Sequence, residues 1–161
     1  MCALASEAPG EPLTFYVDSE WSGRSSALKQ DRHGDNAKVE MVRQTSVDTL
    51  LEGRAGPGDR LVFKIEVEGY KPKVLAGMRR TLDAVDSAVC VMEFNQSFLR
   101  KLGVEPETYL AELKRRFTVW LLDKHDRPID LRSRALSSIG PEAGEDIVVA
   151  TRPELLDRLF S

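Results

Sequence analysis

The segment Leu61-Val62-Phe63-Lys64-Ile65-Glu66-Val67-Glu68-Gly69 constrains this chain more than any other. Its first five residues are mostly apolar and predict a strand buried on both faces. The run then stops in two carboxylates and a glycine. Pro72 follows near the start of a helix, where its missing N–H costs little. Val74, Leu75, Met78 and Leu82 recur at helical spacing. A second buried-type strand is predicted over residues 88–92. Strand, helix, strand is the unit of a parallel sheet covered by helices. In an open sheet of that kind, ligands gather at the carboxyl ends of the strands. Glu66, Glu68 and Glu93 all fall at such ends.

The remaining segments extend the pattern. Residues 1–12 read as a loose lead-in. Residues 13–17 are aromatic and β-branched and predict a strand. Residues 18–36 are polar and form a loop. Residues 39–43 alternate and suit a half-buried strand. Thr45-Ser46-Val47-Asp48 has the form of a capping box, opening a short helix through Leu51. Residues 53–58, rich in glycine, end it. Helices are predicted over 97–102 and 106–116, strands over 117–122 and 146–150, and a terminal helix over 155–160. The last two strands are joined without a strong helical period, which fits an antiparallel pair at one edge. The expected architecture is α/β, a mostly parallel sheet with a C-terminal antiparallel pair.

Length and composition limit the function classes. A chain of 161 residues is one domain by length, residues 1–161. Its formal charge of −3 argues against binding nucleic acid through counterion release. No apolar stretch approaches the roughly 18 residues of a membrane span, and no signal peptide is visible. Cys2 and Cys90 do not make a disulfide framework, and Cys90 sits in an apolar run. A cytoplasmic, soluble protein is the default expectation.

The candidate chemistry is acidic. Carboxylates at strand ends suit a proton, a ribose hydroxyl or a hard cation. Acidic residues between strand and helix also cap helices and favour their N-termini, and spacing alone leaves both readings open for Glu68 and Glu93. Gly69 lets the chain turn or approach a ligand closely. His33 and His125 lack a third partner at metal spacing, so no metal site is expected and solvated loop histidine is the favoured reading. Ser25 and Ser26 have no His or Asp at nucleophile-elbow spacing. Trp21, in a polar loop, either covers a ligand or packs the loop.

From Lys64 to Gly77 the chain resembles the FkbM-type methyltransferases. Lys64-Ile65-Glu66-Val67-Glu68-Gly69, followed by Val74-Leu75-Ala76-Gly77, is similar to the family hallmark Lys-Ile-Asp-Val-Glu-Gly with a later Val-Leu-x-Gly. Ser22-Gly23-Arg24-Ser25-Ser26 resembles the family's Ser-Gly-x-Ser-Ser loop. Thr45-Ser46-Val47-Asp48-Thr49-Leu50 resembles its helix opening, and Met92-Glu93-Phe94 its strand-end glutamate. The resemblance spans roughly residues 3–152. Glu66 departs from the usual Asp by one methylene.

The resemblance implies a class I, Rossmann-like sheet and methyl transfer from S-adenosylmethionine, usually to an oxygen of a sugar or secondary-metabolite acceptor. It implies Glu66 and Glu68 as catalytic residues on the acceptor side. Ser25, Ser26, Lys64, Gly69 and Glu93 are implied to bind the small-molecule acceptor. Ala3-Leu4-Ala5 and Gly10 align well inside the family pattern, so the expected domain is partial and lacks the glycine-rich cofactor-binding half. The strand at 61–65 then stands at an open edge, an aggregation hazard, and a dimer mate, a partner chain or an N-terminal segment is expected to cover it. Two alternatives follow: a non-catalytic remnant serving as an interaction or dimerisation module, or an unrelated α/β enzyme using a divalent metal at the acidic strand ends.

Overall fold

Leu13, Thr14, Phe15, Tyr16 and Val17 favour a pleated, half-buried surface, and they form a strand in the computed structural model. The model describes residues 2–4, 8–20, 25–29, 38–123, 125, 127–138 and 145–159. Trp21, Gly23, Arg24 and His33 lie outside the described residues. The chain divides into two compact units. The first comprises Met1–Gly56 with Val67–Ala84, the second Pro57–Glu66 with Val85–Ser161.

The first unit holds strands β1 (Cys2–Leu4), β2 (Pro12–Val17) and β3 (Lys38–Thr45), in spatial order β1-β3-β2. β1 runs parallel to β3, with Cys2 against Arg43 and Leu4 against Thr45. This corrects the expected loose lead-in. Three residues are too few to show a period, and the free side of β3 recruits them. In β3 the inward face carries Val42 and Gln44, whereas Val39 and Met41 are exposed. The antiparallel register with β2, which sets Leu13 beside Val42, fixes that choice.

Three short helices complete this unit: α1 (Val47–Leu50), α2 (Lys71–Ala76) and α3 (Arg79–Ala84). Ser46, not Thr45, caps α1, its Oγ accepting from the Thr49 amide at 3.1 Å. The shift frees Asp48. Its carboxylate accepts from the backbone amides of Arg80 (3.1 Å) and Thr81 (2.7 Å) and from the Thr81 hydroxyl (2.8 Å). Asp48 therefore caps α3 across 33 residues of sequence. The helical period from Val74 to Leu82 is split into α2 and α3 near Gly77, whose carbonyl accepts from the Asp48 amide at 2.9 Å.

The second unit holds β4 (Arg60–Ile65), β5 (Ser87–Phe94), β6 (Thr118–Leu122), β7 (Pro128–Asp130) and β8 (Glu145–Ala150), in spatial order β4-β5-β8-β6-β7. Helices α4 (Gln96–Lys101), α5 (Pro106–Arg116) and α6 (Pro153–Leu159) pack with them. The expected mostly parallel sheet is not what forms. Only β4 and β5 pair in parallel, and the β5–β8, β8–β6 and β6–β7 pairs are antiparallel. The helical crossovers do leave β4, β5 and β6 running in one direction. β8 then inserts between β5 and β6 the opposite way and converts both of its pairings. The expected antiparallel pairing of the last long strands, β6 with β8, is present, but not at an edge of the sheet: β8 lies between β5 and β6, and β7 flanks β6. β7 is too short to have been read from a period.

Both sheet faces are covered at the centre. Cys90, Met92 and Phe94 share one face with Ile147, Val149, Val119 and Leu121, all almost wholly buried. Phe94 stacks on Tyr109 of α5 at 6.0 Å. On the other face Val148, Ala150 and Leu156 form a cluster with Val89, Val91, Trp120 and Leu155. Burial pushes the Cys90 thiol up to about 12, so it stays a neutral hydrophobe at ordinary pH.

The Tyr109 hydroxyl is buried and has no hydrogen-bond partner among the described residues. An unsatisfied buried polar group costs about 1–3 kcal/mol. Tyr109→Phe is therefore expected to leave stability unchanged or to raise it by about 1 kcal/mol, measured by urea denaturation.

Candidate functional site

The hallmark segment crosses from one unit to the other, so its residues occupy two settings. In the second unit, β4 ends in Lys64, Ile65 and Glu66. Parallel pairing sets Ile65 beside Met92 and buries it, and the alternation leaves Lys64 exposed. The Lys64 ammonium meets the Glu66 carboxylate at 2.6 Å, and both side chains are largely solvated. The hydrogen bond and charge of Glu66 hold the Lys64 ammonium above its ordinary range. A solvated pair of this kind contributes little to stability. It does orient Glu66 along the strand end.

At the neighbouring strand end, Glu93 is half-buried and faces Asp146 of β8. Its Oε1 accepts from the Asn95 side chain at 3.4 Å, while Asn95 caps α4 through the Phe98 amide at 3.2 Å. The capping role suggested for acidic residues at this junction thus belongs to Asn95.

In the first unit the segment continues as Val67-Glu68-Gly69-Tyr70 into α2. Gly69 has φ of +73°, which an L side chain adopts only with strain, so the turn requires glycine here. Two side chains hold consecutive carbonyls of the turn. Lys71 Nζ donates to Val67 O at 3.0 Å, and Ser26 Oγ donates to Glu68 O at 3.3 Å. Both side chains belong to buried residues. Ser26 Oγ also accepts from the Leu28 amide at 2.9 Å, and the Ser26 backbone exchanges two bonds with Tyr16. Ser25 Oγ accepts from the Asp18 amide at 3.0 Å. The serine loop therefore braces the turn that carries Glu68.

Lys71 was not singled out as a site residue from sequence, where a lysine beside a proline at a helix start looks like solvated surface. Its burial is a tertiary effect with no local signal. Removing a buried hydrogen-bonded donor exposes its partner to an unmet demand. Lys71→Met is expected to destabilise the protein by about 1–3 kcal/mol, and Ser26→Ala by about 1 kcal/mol. Thermal melts of the two variants check this.

His125 lies in an exposed turn, where its amide donates to Asp123. Among the described residues no group of three His, Cys, Asp or Glu side chains is placed to hold a metal ion. No helix of the described residues is long and apolar enough to cross a membrane.

The anionic groups at these strand ends suit hydroxyl hydrogens as donors. The described strand-to-helix turns contain Gly69 but no glycine-rich run that brings several backbone amides to one ligand. Carboxylates of this kind suit the ribose hydroxyls of a nucleoside cofactor as they suit an acceptor hydroxyl, so these strand ends fit either.

The model of one protein family, the methyltransferase FkbM domain, matches residues 4–118. The match includes β2, β3, β4 and β5 and the whole hallmark segment, and it ends at the start of β6. No curated protein and no solved structure gives a match.

Proposed function

Because this chain belongs to the FkbM methyltransferase family, we propose that it takes part in methyl transfer from S-adenosylmethionine to a hydroxyl oxygen of a sugar or secondary-metabolite acceptor. The observation that supports this reading is the braced turn: Glu68 stands on a glycine-dependent bend whose two carbonyls are held by Ser26 and Lys71. A group that removes a proton during reaction must be held in place, since small displacements cost rate.

In this reading Glu68 would hold an acceptor hydroxyl and take its proton, while a bound methyl donor would give up its methyl group and keep the electron pair of the broken carbon–sulfur bond as a neutral thioether. In the other unit, Glu66, paired with Lys64, and Glu93 offer carboxylates to hydroxyls at their own strand ends. Ser25 and Ser26 act through the turn. The methyl donor supplies an electrophilic carbon on sulfur, as the family implies. Methyl-labelled S-adenosylmethionine offered to the whole chain with a panel of sugars and polyols tests the proposal. Label in one acceptor class is the expected result. Label in none contradicts it.

A second reading has one specific observation in its favour. β4 is the terminal strand of its sheet among the described residues, and Val62 on it is 84% exposed. A sheet edge of that kind suits an interaction or dimerisation module.

A further inference from the structure

β4 pairs with β5 on one side only, among the described residues. A terminal strand presents a row of backbone donors and acceptors that templates another strand. Proteins usually blunt such edges with proline, bulges, very short strands or charged side chains, and a charge blunts an edge only against a strand that sets a like charge opposite it. β4 has six residues and no proline. Its side chains alternate: Leu61, Phe63 and Ile65 are buried or half-buried, and Arg60, Val62 and Lys64 are exposed. Glu66, also exposed, is next in the outward series.

We infer that β4 pairs edge to edge with β4 of a second copy of this chain, antiparallel and with Phe63 facing Phe63. A two-fold dimer makes the same strand face itself, which requires the antiparallel sense. The side-chain period of two requires outward residues to face outward residues, which removes every register slipped by one. Two registers then keep five of the six β4 residues of each copy in contact, one centred on Val62 and one on Phe63. Centring on Val62 sets Arg60 opposite Lys64, and like charges directly opposite are destabilising. Centring on Phe63 sets Arg60 opposite Glu66 of the second copy, twice by symmetry. It also lays the Lys64 stem over Val62. Charge therefore selects Phe63 as the centre. This inference goes beyond the methyl-transfer reading and does not rest on it.

Sedimentation velocity of the whole chain over a concentration series tests it. A reversible species of twice the chain mass is expected. Arg60→Glu alone sets Glu against Glu, and Glu66→Arg alone sets Arg against Arg. Each is expected to weaken the dimer by about tenfold or more. Mixing the two variants restores opposite charges at both positions of a heterodimer, and the double variant restores them in a homodimer. Both are expected to recover the doubled mass. Val62→Asp provides a second disruption at an exposed site where folding is little affected. Oligomeric state is the readout throughout, so loss of activity at Glu66 does not enter. A wild-type monomer at all concentrations overturns the proposal and leaves the edge to a different chain. A dimer indifferent to both single charge reversals overturns it too.

Discussion

Replacing Glu68 by Gln is expected to slow methyl transfer by about 10²- to 10⁴-fold, the usual contribution of a positioned general base. The substitution preserves shape and removes the ability to take a proton. The Ser26 bond goes to the Glu68 backbone carbonyl, so the turn should survive the change. The thermal midpoint should then stay within a few degrees of the wild type, about what a surface change produces. Initial rates at saturating acceptor separate the outcomes. A fall in kcat with an unchanged KM supports proton removal by Glu68. A rise in KM alone makes Glu68 a binding group, and an unchanged rate removes it from the reaction. Glu66→Gln is expected to act more mildly and mainly on KM, because Glu66 is solvated and already paired with Lys64.

Asp48→Ala is expected to destabilise the protein by about 2–4 kcal/mol, with loss of a helix cap and of three hydrogen bonds to one carboxylate. For a chain of this length that is a fall of roughly 5–15 °C in the thermal midpoint. Asp48→Asn keeps one acceptor oxygen and should fall between the two. The same carboxylate predicts a pH dependence. Burial pushes its pKa up, but the hydrogen bonds from Thr81 and Arg80 outweigh burial and hold it below the ordinary 3.8. A depressed native pKa means the unfolded state binds the proton more readily. The Asp48 contribution is therefore complete above the ordinary aspartate range and is lost as pH falls through the native pKa. The gap between the urea midpoints of wild type and Asp48→Ala should narrow as pH falls below about 4. A constant gap between them down to pH 2 contradicts the account.

Much of the sheet was legible because its strands carry strong local signals. Residues 88–92 lie within β5, and 146–150 lie within β8, because a central strand is apolar on both faces. β4 has the same composition but a different fate. It stands at an edge, so Val62 and Lys64 are solvated where burial on both faces was expected. Composition reports what a strand can bury, not what stands beside it. The sheet departs from the expected mostly parallel order for a related reason. Alternating strands and helices fix the direction of β4, β5 and β6, but nothing local reveals that β8 enters between two of them.

The candidate site divides in the same way. Glu66, Glu68 and Gly69 were marked by spacing and by resemblance to the family, since a strand end followed by a glycine turn is a local pattern. The brace was not. Ser26 and Glu68 are 42 residues apart, and Asp48 and Thr81 are 33 apart. The Asp48 position in the helix opening suggested a cap on its own helix, yet the carboxylate serves another. Such long-range polar bonds leave no periodic trace.

The most direct test of the account is calorimetric titration of the whole chain with S-adenosylmethionine, with displacement by S-adenosylhomocysteine as a control. The account predicts saturable binding with a dissociation constant in the roughly 1 μM to 1 mM range common for enzyme substrates. No heat of binding, and no shift of the melting temperature at about ten times the upper end of that range, would contradict it.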